Sequence, residues 1–376
     1  VSLVQLEALA EGAQRFGDGS LYLSNRANIQ IRAVMPEAHA PLLEMLGAAG
    51  LIDSDPRAEA VRNVMLVPAF GAEAQFEAAA GLAARIEDIL ARTEALHSLP
   101  GKFGVAIQTG ASIDAEAFSD ITFLVQSARI AMLLDGELGR AVWFGNAKAA
   151  ADGFLRAALA FLKARSQDPE IRRMRIAVAK LGVDWFAREA GLSADSHKAG
   201  YENAAPPVGD LDEAFGIAFA FGEIGREALK AIAETMRAHG IGGAMVSPHR
   251  ALILPCKGRD KAAMHELARG IGAITNPDDV RLRVYGCPGQ PDCARATVPA
   301  RRNAEEVIGA LAAVQFPKGT IHISGCEKRC AYPHKAIVTA IGAEGFYTIS
   351  GPGPRIRKNV APKDLAAAVL DFARLP

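Results

Sequence analysis

The stretch "AIAETMRAHGIGGAMVSPHRALIL", Ala231 to Leu254, repeats a pattern that the chain uses earlier as "ALAEGAQRFGDGSLYLSNRANIQI", Ala8 to Ile31. Ala-x-Ala-Glu, a helix-ending Gly, a Ser and an Arg-Ala pair (Arg26-Ala27, Arg250-Ala251) recur in order, within a residue of slippage. Each copy reads as a helix closed by glycine and followed by an alternating, strand-like segment.

The repeat continues downstream. "VRNVMLVPAFG" (Val61 to Gly71) faces "VRLRVYGCPGQ" (Val280 to Gln290), and "LPGKFGVAIQTG" (Leu99 to Gly110) faces "QFPKGTIHISGC" (Gln315 to Cys326). Ordered matches at similar separations imply a duplicated architecture with a pseudo-two-fold relation between halves. Strands mixed with helices, without a regular strand-helix alternation, predict an α+β fold. The apolar "AFGIAFAFG", Ala214 to Gly222, predicts a strand ahead of the second-half helix. The first half starts directly at its helix, so a strand is expected before Val1 and the sequence is read as truncated there. Between the halves, "AGLSADSHKAGYENAAPPVGDLD", Ala190 to Asp212, lacks any sustained apolar period and reads as a linker.

At 376 residues, half of them hydrophobic, the chain has room for two or three cored domains. Lys+Arg and Asp+Glu balance at 42 each, which leaves no global field to attract nucleic acid or an anionic membrane. No apolar run is long enough to cross a bilayer, and "VSLVQLEALAEGAQRF" reads as an amphipathic helix instead of a signal peptide. The expectation is a cytoplasmic protein with neither nucleic acid nor membrane as partner.

Four of the five cysteines form two tight pairs, Cys287 with Cys293 in "CPGQPDC" and Cys326 with Cys330 in "CEKRC". Late clustering of this kind points to a metal role over a disulfide framework. Four thiolates suit a structural zinc or an iron-sulfur cluster. Zinc ribbons favour short knuckles, so a Cys-x5-Cys joined to a Cys-x3-Cys favours the cluster. Gly286, Pro288, Gly289 and Gly325 surround the thiols and let backbone amides approach the sulfurs. The corresponding first-half positions, "VPAFG" and "IQTGA", hold no thiol. Cys256, in "LILPCKG", stands apart and reads as a buried small apolar residue.

"CPGQPDC" with "SGCEKRCAYP" resembles the bipartite cluster signature of the sirohaem-dependent nitrite and sulfite reductase superfamily. The resemblance covers nearly the whole chain. "LSNRANIQI" is similar to that family's Thr-Thr-Arg-Gln strand, "VRNV" to its Arg-Asn strand and "LPGKFGV" to its Leu-Pro-Arg-Lys-Phe-Lys strand. It implies a tandem duplicated nitrite/sulfite reductase-like architecture, with two ferredoxin-like half-domains and two larger mixed α/β domains. Residues 1–55 would form the first half-domain, truncated at its start, and 56–190 a reductase-like domain without a cluster. After a linker at 191–212 come the second half-domain, 213–275, and the cluster-bearing domain, 276–376. The resemblance implies that Cys287, Cys293, Cys326 and Cys330 ligate one [4Fe-4S] cluster, with Cys330 bridging to sirohaem iron if sirohaem is present. It also implies that Arg26, Arg62 and Lys102, each read as standing apart from acids in sequence, hold tetrapyrrole carboxylates.

Some positions depart from the reductases. The second lysine of the Lys-Phe-Lys strand is Gly104, the Gln after the first arginine is Ala27, and the Asn between the last two cysteines is Lys328. Arg329 replaces a usual glycine. The small-anion site therefore reads as incomplete. Within the superfamily the chain resembles the precorrin-3B synthase branch in "SNRANIQIR", "VRNVMLVP", "PPVG", "FAFG" and "IHISGCEKRCAYP". That resemblance implies an iron-sulfur monooxygenase of aerobic cobalamin biosynthesis, hydroxylating precorrin-3A with O2 and closing a lactone from the ring-A acetate. NADH is the implied donor. No Gly-x-Gly-x-x-Gly follows a strand, so an external electron-transfer partner is expected to deliver its electrons. A non-haem iron is a further expected cofactor, with unidentified ligands. His249, His322 and His334 lie near the relevant segments, but form no two-His-one-carboxylate spacing. A sirohaem-dependent sulfite or nitrite reductase is the first alternative, and a non-catalytic iron-sulfur or zinc module the second.

Overall fold

A computed structural model of the chain describes residues 1–67, 73–193, 200–202, 204–314, 319–331, 336–351 and 353–373. The chain divides into two compact units, Leu43–Ala205 and the pair of segments Val1–Leu42 and Pro206–Pro376. Among the described residues no helix is long and apolar enough to cross a membrane.

In the unit Leu43–Ala205, a five-stranded sheet runs Val64–Val67, Val105–Thr109, Ile121–Val125, Ile130–Leu134, Glu137–Phe144 in spatial order. The first three strands are parallel and the last two antiparallel. "VAIQT", "ITFLV" and "IAMLL" are buried at every residue, which explains runs that show almost no polar alternation. Helices Glu73–Arg92 and Ala147–Gln167 pack together against this sheet. Gly153 permits the approach, because a Cβ there would lie 2.4 Å from the Phe144 ring. Asp120, fully buried, accepts from the backbone N–H of Gly104 and Met174 and pairs with Arg173. A buried carboxylate with three donors is a satisfied one.

The other unit repeats that sheet. Val284–Gly286, Ile321–Ser324, Val338–Ala343, Phe346–Ser350 and Ile356–Val360 lie in the same order with the same parallel, parallel, antiparallel, antiparallel relations. Helices Ala300–Ala312 and Leu365–Ala373 pack together on it. The duplication read from sequence is thus a duplication of topology, in a mixed α+β fold with several sheets.

Helices Leu3–Phe16 and Arg226–Ala238 are also packed together. The first carries a capping box, in which Ser2 and Gln5 exchange side-chain and backbone bonds at 3.0 and 3.1 Å. Each helix leads into a hairpin, Leu21–Leu23 with Ile29–Ile31 and Met245–Val246 with Ala251–Pro255. The expected strand in "AFGIAFAFG" spans Ala214–Ala218 and pairs with Ala251–Pro255. A neighbouring strand, Glu223–Ile224, pairs with Leu21 and Tyr22 and so joins the sheet of the first hairpin, while the second hairpin lies in a separate four-stranded sheet.

The hairpin turns correct the repeat register by one residue. Ser24 N donates to Asn28 O, and Ser247 N to Ala251 O. The residue three after each serine, Ala27 and Arg250, is left-handed at φ 54° and 58°. Arg250 therefore matches Ala27, and Arg26 matches His249. In the segment 191–212, expected to be a linker, Gly200–Glu202 pairs with Ser112–Asp114 and Gly209–Asp210 pairs with the strand Ala214–Ala218. We propose the four-part domain division on the topology above.

Candidate functional site

Parallel pairing brings the cysteine pairs to one edge. Val284 sits opposite Ile321 and Gly286 opposite Ile323, so both strands end together. Cys287 follows the first strand directly, and Cys326 lies two residues beyond the second. Carboxyl ends of parallel strands are where such sheets place ligands. Cys287 N donates to Ile323 O at 3.2 Å, Gln290 N to Val298 O at 3.0 Å and Thr297 N to Gly325 O at 3.0 Å. These bonds lace the loop after Cys287 to the loop before Cys326.

Glycines allow the lacing to be tight. A Cβ on Gly289, at φ 74°, would lie 2.2 Å from the Ala300 nitrogen, and one on Gly325 would lie 2.7 Å from the Ala296 Cβ. Gly342, on the third strand, passes the Gly325 carbonyl, which would stand 2.9 Å from a Cβ there. Gly325 N–H donates to Cys287 Sγ at 3.1 Å.

Cys287 is buried, Cys293 and Cys326 are intermediate, and Cys330 is exposed. Burial pushes the Cys287 thiol above its ordinary pKa, opposed by the N–H groups of Gly325 and Gly289 and reinforced by Cys293 and Cys326. Three of the four sulfurs thus share one electrostatic neighbourhood. Among the described residues, no group of three or more His, Cys, Asp or Glu side chains is placed to hold a metal ion. Cys256 is buried, just past the end of the strand Ala251–Pro255. His249 and His322 are buried, and burial, with Arg329 nearby, pushes His322 down to about 4. His334 lies outside the described residues.

Arg26 occupies the first hairpin turn, half-buried, with its backbone N–H 3.3 Å from Ser24 Oγ. Arg62 and Lys102 belong to the unit Leu43–Ala205. Arg62 departs from the isolation read in sequence. It forks onto Glu59, at 2.9 to 3.1 Å, and donates to Leu51 O at 3.1 Å. Residues three apart on a helical turn face one another, so the acid at position 59 was the signal to weigh. Lys102 is exposed, and its carbonyl accepts from Arg173 at 2.8 Å. Gly104 donates its N–H to Asp120 at 3.1 Å, and a Cβ there would lie 2.5 Å from Ser119 Oγ. The contacted atom is a rotatable serine hydroxyl, so Ser119 would have to turn to admit a side chain at position 104.

Comparison with known proteins adds to this geometry. The family profile of the nitrite/sulfite reductase ferredoxin-like half domain matches residues 1–49. A precorrin-3B synthase from Sinorhizobium sp is 24% identical over 366 residues, covering 92% of this chain and 76% of that protein. A ferredoxin–nitrite reductase from Synechococcus elongatus is 26% identical over 384 residues, covering 90% of this chain and 73% of that protein. Among solved structures, the NirA protein of Mycobacterium tuberculosis shares the fold at a TM-score of 0.72 and 17% identity, over 98% of this chain and 77% of that one.

Proposed function

We propose, from the premise that the chain belongs to the nitrite/sulfite reductase superfamily, that this oxidoreductase is an iron-sulfur monooxygenase of the precorrin-3B synthase type. Its substrate is a polycarboxylate tetrapyrrole, precorrin-3A. One oxygen atom of O2 enters the macrocycle, and the other leaves as water with two electrons from NADH through an external carrier. The ring-A acetate then closes a lactone.

The relatives include a precorrin-3B synthase and a nitrite reductase at similar identity, so identity alone does not choose between them. The observation that carries the choice is Gly104, where a reductase-like strand would place a second lysine. Glycine there supplies no side-chain cation, and its N–H is bonded to Asp120. A strand without that lysine has one fixed charge fewer to hold nitrite or sulfite. A cleft suited to one polycarboxylate macrocycle adapts to another with little rebuilding.

Cys287, Cys293, Cys326 and Cys330 would hold the [4Fe-4S] cluster. Thiol donors, N–H groups aimed at Cys287 and a glycine-lined approach fit that group. When bound, it supplies one-electron transfer. A sirohaem-dependent nitrite reductase is the second reading, favoured by the Synechococcus relative.

Colour separates the readings. Anaerobically purified protein is expected to show a broad brown absorption with acid-labile sulfide and at least as much iron. Strong sirohaem bands would transfer the assignment to the reductase, and a colourless zinc protein would remove both.

A further inference from the structure

We propose that Arg250 binds a carboxylate of the tetrapyrrole, in a position that the second hairpin turn creates and the sequence motif conceals. This rests on the tetrapyrrole reading above and adds a residue to it. Arg250 combines two unfavourable features. Its backbone is left-handed at φ 58°, a conformation that strains any residue with a Cβ. The residue is only 7% exposed, yet among the described residues its Nε is buried without a hydrogen-bond partner.

What surrounds Arg250 holds it without neutralising it. The guanidinium stacks 3.9 Å from the centroid of the Tyr285 ring. Tyr285 lies two residues before Cys287 and opposite His322 in the parallel register. Gly222, at φ 74°, makes room on the other side, since a Cβ there would lie 3.2 Å from the Arg250 Cβ. Stacking on an aromatic face orients the fork and offsets part of the desolvation. A buried cation still requires a counter-charge. The two Nη groups present paired donors that a planar carboxylate accepts end-on, which favours this partner. In the first hairpin, alanine occupies the same left-handed position, so the turn itself does not need arginine.

Glycine at position 250 removes both the backbone strain and the uncompensated charge, and so separates a binding role from a structural one. The experiment titrates full-length, cluster-loaded protein with uroporphyrin III, an octacarboxylate tetrapyrrole, by fluorescence quenching. Arg250→Gly is expected to raise Kd at least about tenfold. The melting temperature of the uroporphyrin-free variant is expected to rise by about 2 °C or more. Arg250→Lys, charged but without the fork, falls between on affinity. An unchanged Kd in Arg250→Gly overturns the inference while leaving the tetrapyrrole reading in place, and so does a fall in melting temperature accompanying the weaker binding. Nitrite that displaces uroporphyrin from the parent protein but not from Arg250→Gly assigns the residue to a small anion and also overturns it. Failure of the parent protein to bind uroporphyrin removes the tetrapyrrole reading and the inference together.

Discussion

Cys293→Ser is expected to yield a protein without the brown absorption and without turnover. Cys293 sits on the loop between Cys287 and Ala296, with its carbonyl accepting from Ala296 N at 2.9 Å. Its half-buried thiol lies close enough to affect Cys287. A serine hydroxyl is a hard, protonated donor at neutral pH and a poor substitute for a thiolate on iron. Cys256→Ala controls for general damage, because that thiol is buried past the end of a strand of a different sheet and its loss should leave iron and sulfide unchanged. The assignment of the four ligands fails if Cys293→Ser retains its full complement of both.

Gly289→Ala is expected to be the most destabilising single methyl addition at the site. The new Cβ would meet two backbone atoms, the Ala300 nitrogen at 2.2 Å and the Val298 oxygen at 2.9 Å, at a φ of 74°. Neither atom is a flexible side-chain end, so the loop or the start of the helix Ala300–Ala312 must move. Overpacking with left-handed strain costs about 3 kcal/mol or more, which lowers the melting temperature by roughly 6 °C or more. Gly345→Ala isolates the clash. Gly345 is also left-handed, at φ 83°, but has nothing within 4 Å of its Cβ. Equal losses in the two variants, measured by calorimetry, would show that strain and not close approach governs Gly289.

Much of this was readable from residue patterns because the decisive signals are local. "LPGKFGVAIQTG" and "QFPKGTIHISGC" both become second strands of five-stranded sheets with identical order, since apolar runs bounded by glycine and proline select buried strands. The Ser2–Gln5 capping box and the glycine after each amphipathic helix are equally local. The gathering of Val1–Leu42 with Pro206–Pro376 was not legible, because the pairing of Leu21 and Tyr22 with Glu223 and Ile224 joins residues some two hundred positions apart. Arg250 was missed for a different reason. Pairing Arg-Ala with Arg-Ala hid the one-residue shift, which only the left-handed turn residue after each serine reveals. Arg62 was misread by overlooking an acid one helical turn away.

Supplying the cluster-loaded protein with precorrin-3A, a competent electron donor and isotopically labelled dioxygen tests the central claim most directly. The expected product is heavier than the substrate by one labelled oxygen atom, while nitrite and sulfite are reduced poorly. Rapid reduction of nitrite or sulfite, with no label entering the tetrapyrrole, would contradict it.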